Sequence, residues 1–294
     1  MKNLIVNADD LGWTEGVSRG IAEAHNNGIV TSASLLANGA AFESAVELAR
    51  STPGLGVGVH LNLSDGEPVA PRELVTSLLN DDGVLDCGPE ILLLRLARRS
   101  VLLEEVEREW DAQIQKVRDT GLRPTHLDGH KHVQMLPGLF EMALRLARRH
   151  CIDAVRISHE ESGLRVALSA RDNQKVALVM KQGIQARGLK LLARDAKEQA
   201  ERAGISTADY FCGIAHTGAL TLEGVARLLE ILPEGTTELM CHPGYADAEL
   251  QQSATRLQAS RETELRILTD AGIRNIVASR GIRLIDYGFA AQEA

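Results

Sequence analysis

The sequence predicts an α/β fold, a distorted (β/α) TIM-like barrel with seven or eight parallel strands. Short apolar runs alternate with segments of helical periodicity along most of the chain. A potentially reactive side chain stands at the end of run after run, and 294 residues, 44% of them hydrophobic, suffice for one large core. Period alone does not separate a closed barrel from an open doubly wound sheet. The strand ends favour the barrel, which gathers them around one mouth where an open sheet would spread them along an edge. Residues 1–294 are read as a single domain.

The elements follow in order. Leu4-Ile5-Val6 is a strand, and residues 16–27 carry Val17, Ile21 and Ala24 at helical spacing. The pair recurs at 31–36 with 40–50, and 56–63 reads as a third strand. Strands are expected at 125–128 and 154–158, with a helix over 136–150 between them. The last part reads as a strand at 209–214, a helix at 221–232, a strand at 237–241, a helix at 254–271 and a short strand at 283–286. Two inserts break the rhythm, at about 64–121 and 159–203. The first holds the turn Asn80-Asp81-Asp82-Gly83 and then a charged stretch, with Arg95, Arg98 and Arg99 followed by Glu104, Glu105, Glu107 and Glu109, read as a solvated helical face. The second is rich in Lys, Arg and Gln and reads as a lid or a helical cap.

Composition narrows the function. A net charge of -8 without clustered Lys/Arg excludes nucleic acid as a partner. Cys87, Cys151, Cys212 and Cys241 form no C-x-x-C pair, so they read as free thiols in a reducing compartment. Met1 to Val6 falls far short of a signal peptide, and no apolar run reaches membrane-spanning length, so the expected location is the cytoplasm with no membrane insertion.

The candidate chemistry lies at the strand ends. Asp9 and Asp10 are adjacent on a strand and point to opposite sides unless the chain bends, so one can hold a metal while the other addresses a water. Both could instead cap the following helix. In His126-Leu127-Asp128-Gly129-His130-Lys131-His132, an extended chain would put His126, Asp128, His130 and His132 on one face. Imidazoles beside a carboxylate suit a transition metal. His60 ends an otherwise apolar strand, so Asp10, His60 and His130 would give one carboxylate and two imidazoles, with positions open to water and substrate. His242, before Pro243-Gly244, can protonate a leaving group or merely brace the turn. Arg156 could orient Asp9, bind substrate or form an ordinary salt bridge, and local pairing with Glu264 accounts for Arg261. Aromatics make up 3% of the chain, yet Trp13 and Tyr245 directly follow two of these motifs and are candidates to stack on a sugar at the rim.

With these residues laid out, the chain resembles the YdjC-like carbohydrate deacetylases, related to the chito-oligosaccharide deacetylases and the hopanoid-biosynthesis deacetylases. The likeness runs from Asn7-Ala8-Asp9-Asp10-Leu11-Gly12 through Gly58-Val59-His60-Leu61 and His126 to His132, and on to Cys241-His242-Pro243-Gly244-Tyr245. It implies a distorted barrel, often homodimeric, that removes N-acetyl groups from amino sugars or sugar lipids. It also implies one divalent ion, Mg or Zn, held by Asp10, His60 and His130, with Asp9 as base. His242 is the preferred acid, and Trp13, His132, Arg156 and Tyr245 are the substrate-binding candidates. Gln134 stands where many relatives have a further His. Another metal-dependent barrel enzyme, such as a phosphoesterase or a sugar isomerase, could use the same set, and a non-catalytic binding barrel is the alternative outside catalysis.

Overall fold

The computed structural model describes residues 1–168, 193, 195–253 and 255–293. Seven strands form one parallel sheet: β1 (Lys2–Leu11), β2 (Ser32–Leu35), β3 (Gly56–Leu61), β4 (Leu127–Gly129), β5 (Tyr210–Cys212), β6 (Gly235–Cys241) and β7 (Arg283–Leu284). Their order is β4-β3-β2-β1-β6-β5, with β7 paired to β1. Leu4 to Leu11 are buried throughout, as expected of a parallel strand covered on both faces.

The helices are α1 (Glu15–Asn26), α2 (Phe42–Ser51), α3 (Pro89–Ala97), α4 (Leu103–Asp119), α5 (Leu139–Arg149), α6 (Ser162–Leu168) and α7 (Ala196–Ala203). They continue with α8 (Leu222–Ile231), α9 (Ala248–Gln252), α10 (Ala259–Leu268), α11 (Ala271–Ser279) and α12 (Tyr287–Glu293). Polar side chains start several of them: Thr14 accepts from the Val17 amide and Thr221 from Gly224, each cap worth about 1 kcal/mol.

The sheet curls into a half-barrel rather than eight equivalent strands. Between its edges, β4 and β5, isolated parallel bridges join Leu127 to Val155, Ala154 to Ser206 and Glu160 to Phe211. The strand expected at 154–158 is reduced to these bridges because the chain turns at once, the His159 amide donating to the Ile157 carbonyl. The helix expected over 254–271 is split: Asp270 accepts from the Gly272 and Ile273 amides and so starts α11 separately. Much of the second insert, residues 169–192 and 194, lies outside the described residues.

The first insert departs from the solvated face expected of it. Glu104 and Arg108 are exposed, but Glu109, Trp110 and Gln113 turn inward and are fully buried. Glu109 accepts from the Val69 and Ala70 amides, both at 2.9 Å, so its burial is matched by hydrogen bonds. Among the described residues no helix is long and apolar enough to cross a membrane. All four cysteines are free.

Candidate active site

The C-terminal end of β1 bends. Its register against β2 shifts between Ala8 and Leu11, and Asp10 takes a left-handed backbone with φ 72°. A bulge of this kind re-aims consecutive side chains, so the adjacent carboxylates meet different partners. Asp9 receives the Arg156 guanidinium, 2.7 Å at Oδ1 and 2.8 Å at Oδ2, and the Asn7 amide at Oδ1. Asp10 accepts from Arg261 Nη2 at Oδ2, 2.6 Å away. Neither caps a helix, since Thr14 fills that position.

His60 and Asp128 are register partners on β3 and β4, and His60 Nδ1 lies 2.7 Å from Asp128 Oδ1. That contact fixes the ring and leaves Nε2 facing Asp10 Oδ1 at 3.5 Å. His130 arrives from the other side, its Nδ1 3.0 Å from the same oxygen. Burial works against ionisation of Asp10, but Arg261 and His130 outweigh it and hold its carboxyl well below the usual range. Burial likewise pulls His60 down, yet the charge of Asp128 and the hydrogen bonds that the ring donates to Asp10 and Asp128 raise it to about 10.

A cation fits this corner. Ligand-capable atoms of Asp10, His60 and His130 all lie within 4.8 Å of one another. Asp10 Oδ1 is buried with two imidazole nitrogens turned toward it, an arrangement that a positive ion between them would satisfy, while His130 Nε2 faces Asp65 Oδ2 at 3.3 Å. Asp9, His60 and Asp128 also cluster, but both carboxylates there are already paired with the Arg156 guanidinium and His60 turns Nδ1, not Nε2, toward Asp128.

The expectation that His126, Asp128, His130 and His132 share a face holds for the first two, which both meet Ser34 Oγ, and fails after them. β4 stops at Gly129, and Lys131 and His132 adopt left-handed φ of 53° and 60° in a tight turn. That turn carries His130 toward Asp10. His126 is left behind in the interior, stacked on Tyr287 at 4.1 Å and touching the Ser34 and Thr125 hydroxyls. Its ring fills the space beside Gly58, where a Cβ would come within 2.3 Å of Cε1. His132 lines the cavity, with Nδ1 2.8 Å from Ser158 Oγ, and burial and Arg156 push it down to about 3. Gln134 is fully buried and donates to the same Ser158 hydroxyl at 3.2 Å, so it supports His132 from behind.

His242 stands at the turn after β6, its amide donating to Glu264 Oε2 at 2.6 Å. Burial pushes its imidazole down to about 4 against the pull of Asp9 and Asp10. These groups meet in a cavity of about 620 Å³ lined by Asp9, Asp10, His60, His130, His132 and His242. Trp13 also lines it, its ring 5.2 Å from that of His130. The apolar side is formed by Pro89 and Leu93 of the first insert together with Leu136, Ile214, Met240 and Leu257.

Two substrate-binding candidates lie elsewhere. Arg156 is fully buried beneath the cavity, shared among Asp9, Asp128 and Glu238. Tyr245 lies outside the lining, its hydroxyl donating to Glu23 and its ring under Arg19 of α1. Arg261 is the converse case. Local pairing does not account for it, because it reaches across the fold to Asp10. Asp65 and Lys131 also line the cavity, 2.5 Å apart, and nothing in their local sequence marks them.

With the geometry in place, the chain matches the YdjC-like protein family over residues 3–279. It belongs to that family. A carbohydrate deacetylase of Geobacillus stearothermophilus is 34% identical over 96% of this chain and 96% of its own. A chitooligosaccharide deacetylase of Salmonella paratyphi B is 35% identical over 95% and 96%. A crystal structure from Enterococcus faecalis V583 superposes with a TM-score of 0.77 at 32% identity, covering 97% of each chain. The YdjC-like likeness read from the four motifs is therefore shown over nearly the whole chain.

Proposed function

We propose that this YdjC-like protein is a metal-dependent carbohydrate deacetylase that hydrolyses the N-acetyl group of an amino sugar and releases acetate. The observation that carries the reading is the convergence of His60 and His130 nitrogens on Asp10 Oδ1 in a cavity that also holds Asp9 and His242. The deacetylase names of full-length relatives support the same reaction class. A divalent cation such as Mg or Zn, held by Asp10, His60 and His130, would polarise the amide carbonyl and acidify a water.

The protein's own side chains supply the rest. Arg156 keeps Asp9 ionised against the opposing effect of burial, and a lone pair on Oδ2 remains to take a proton from the attacking water. His242 begins neutral, so it takes up a proton before it gives one. The anionic neighbours Asp9 and Asp10 favour that uptake, and the proton that Asp9 removes from the water is the one that His242 would take up and pass to the departing amine, so Asp9 ends ionised and His242 neutral, as they began. Trp13 offers a flat face to a sugar ring beside His130.

A sugar joined to an apolar group is favoured by one further observation. Pro89 and Leu93 of α3 line the cavity together with Leu136, Ile214, Met240 and Leu257, which gives one side of it an apolar wall. The experiment is acetate release from small and lipid-linked N-acetylated sugars, with and without chelator. Release that chelator abolishes and a divalent ion restores is expected. Phosphate release or an isomerised sugar without acetate would replace this reading.

A further inference from the structure

Helix α10 contributes no side chain to the cavity, yet it touches two of the groups that work there. Arg261, fully buried, donates through Nη2 to Asp10 Oδ2 at 2.6 Å and through Nε to the Leu257 carbonyl at 3.0 Å. The Arg261 carbonyl in turn accepts from the Gly244 amide. One turn along, Glu264 accepts the His242 amide at Oε2, 2.6 Å away, and the Gly218 amide at Oε1, 3.2 Å away. The two residues are three apart and so share a helical face.

We propose that Arg261 and Glu264 are positioning residues: Arg261 presents the metal carboxylate and Glu264 holds the backbone of the proton-carrying histidine, so one helix sets the spacing between them. The inference rests on the deacetylase reading of the site. Arg261 occupies Oδ2 and thereby leaves Oδ1 as the oxygen of Asp10 that faces His60 and His130. It also braces a residue whose backbone is left-handed without being glycine, a conformation that neighbours must maintain. Glu264 acts on the other side by tying down the first residue of the turn after β6. Arg261 makes a local contact, from Nε to the Leu257 carbonyl, which leaves Nη2 free to reach Asp10 across the fold. Its polar contacts run to the Asp10 carboxylate and to the loop that carries Leu257 along the cavity wall.

The test measures binding of Mg²⁺ or Zn²⁺ by calorimetry on full-length protein, alongside kcat and KM for acetate release. Arg261→Met should weaken cation binding by about 10- to 100-fold, the usual effect of removing a partner that orients a ligand. Arg261→Lys, which keeps the charge but not both contacts, should recover part of it. Glu264→Gln should leave cation affinity unchanged and lower kcat with KM unmoved. Thermal melting of each variant checks folding, and Arg261→Lys decides the point if Arg261→Met does not fold. Wild-type cation affinity in folded Arg261→Met or, failing that, in Arg261→Lys would overturn the inference while a loss in Asp10→Asn keeps the metal reading. Undiminished affinity in Asp10→Asn would remove both. Loss of cation binding in Glu264→Gln would overturn the division of labour between the two.

Discussion

Arg156 grips Asp9 through two parallel contacts, 2.7 Å at Oδ1 and 2.8 Å at Oδ2. The same guanidinium lies 2.6 Å from Asp128 and 2.7 Å from Glu238. Arg156→Met strands three buried carboxylates and should cost about 3 to 5 kcal/mol of stability in denaturant melts. Arg156→Lys keeps the charge and loses the planar fork, so it should be milder in the melt while turnover still falls sharply. Equal, small effects of both variants on turnover would mean that Asp9 does not depend on the fork.

Asp9 and Asp10 should separate cleanly. Asp10→Asn should lower metal content and acetate release together. Asp9→Asn should keep the metal and cut turnover by about a hundred- to ten-thousandfold, the range for a lost general base. Elemental analysis beside the rate assay distinguishes them, and reversed phenotypes would exchange the roles.

His242→Ala should slow turnover by about two to four orders of magnitude with the metal retained. Metal loss in that variant would make His242 a ligand instead.

Stability should decline as pH falls from about 6.5 to 4. Burial holds His126, His216 and His242 at about 4 and His132 at about 3. These groups are neutral in the folded protein while the unfolded chain takes up protons from about 6.5 downward. Their contribution is thus present above 6.5 and lost on acidification, with a limiting slope of about 1.4 kcal/mol per pH unit for each. His60, raised to about 10 in protein free of a cation, acts there in the opposite sense, whereas a bound cation would keep its ring neutral. Its contribution is complete below 6.5 and lost as pH rises toward 10, so it does not oppose the acid limb. Denaturant melts across this range check both limbs, and a flat acid limb would contradict the buried neutral histidines.

Trp13 and Tyr245 should behave differently. Trp13→Ala should raise KM more than it lowers kcat, because Trp13 lines the cavity. Tyr245→Ala should leave KM unchanged, because its ring packs on α1. A raised KM in Tyr245→Ala would bring that residue back to the rim.

The strand ends were legible because residue type and position coincide there: His60 stands out in an apolar run, Asp128 lies in a histidine-rich one, and the two prove to be register partners. The fate of His126 was not legible. His130 is parted from it where β4 stops, and the left-handed backbone at Lys131 and His132 belongs to non-glycine residues that carry no turn signal. Arg261 was hidden for another reason. Glu264 three residues on supplied a sufficient local explanation, whereas its actual partner is 251 positions away. Asp9 and Asp10 diverge, as adjacent strand residues should, but through a bulge that their sequence does not announce.

The way α4 is fastened bears on how such a scaffold changes its appetite. Gln113 exchanges two hydrogen bonds with the backbone of Asn62, at 2.9 and 2.7 Å, two residues beyond His60. Glu109 secures the start of the insert through Val69 and Ala70. The cavity wall at Gly88, Pro89, Glu90 and Leu93 hangs between these fixed points. The contacts that hold His60 on Asp128 lie outside residues 85–101, so a change of side chain along that wall alters the shape of the cavity without touching the ring of His60.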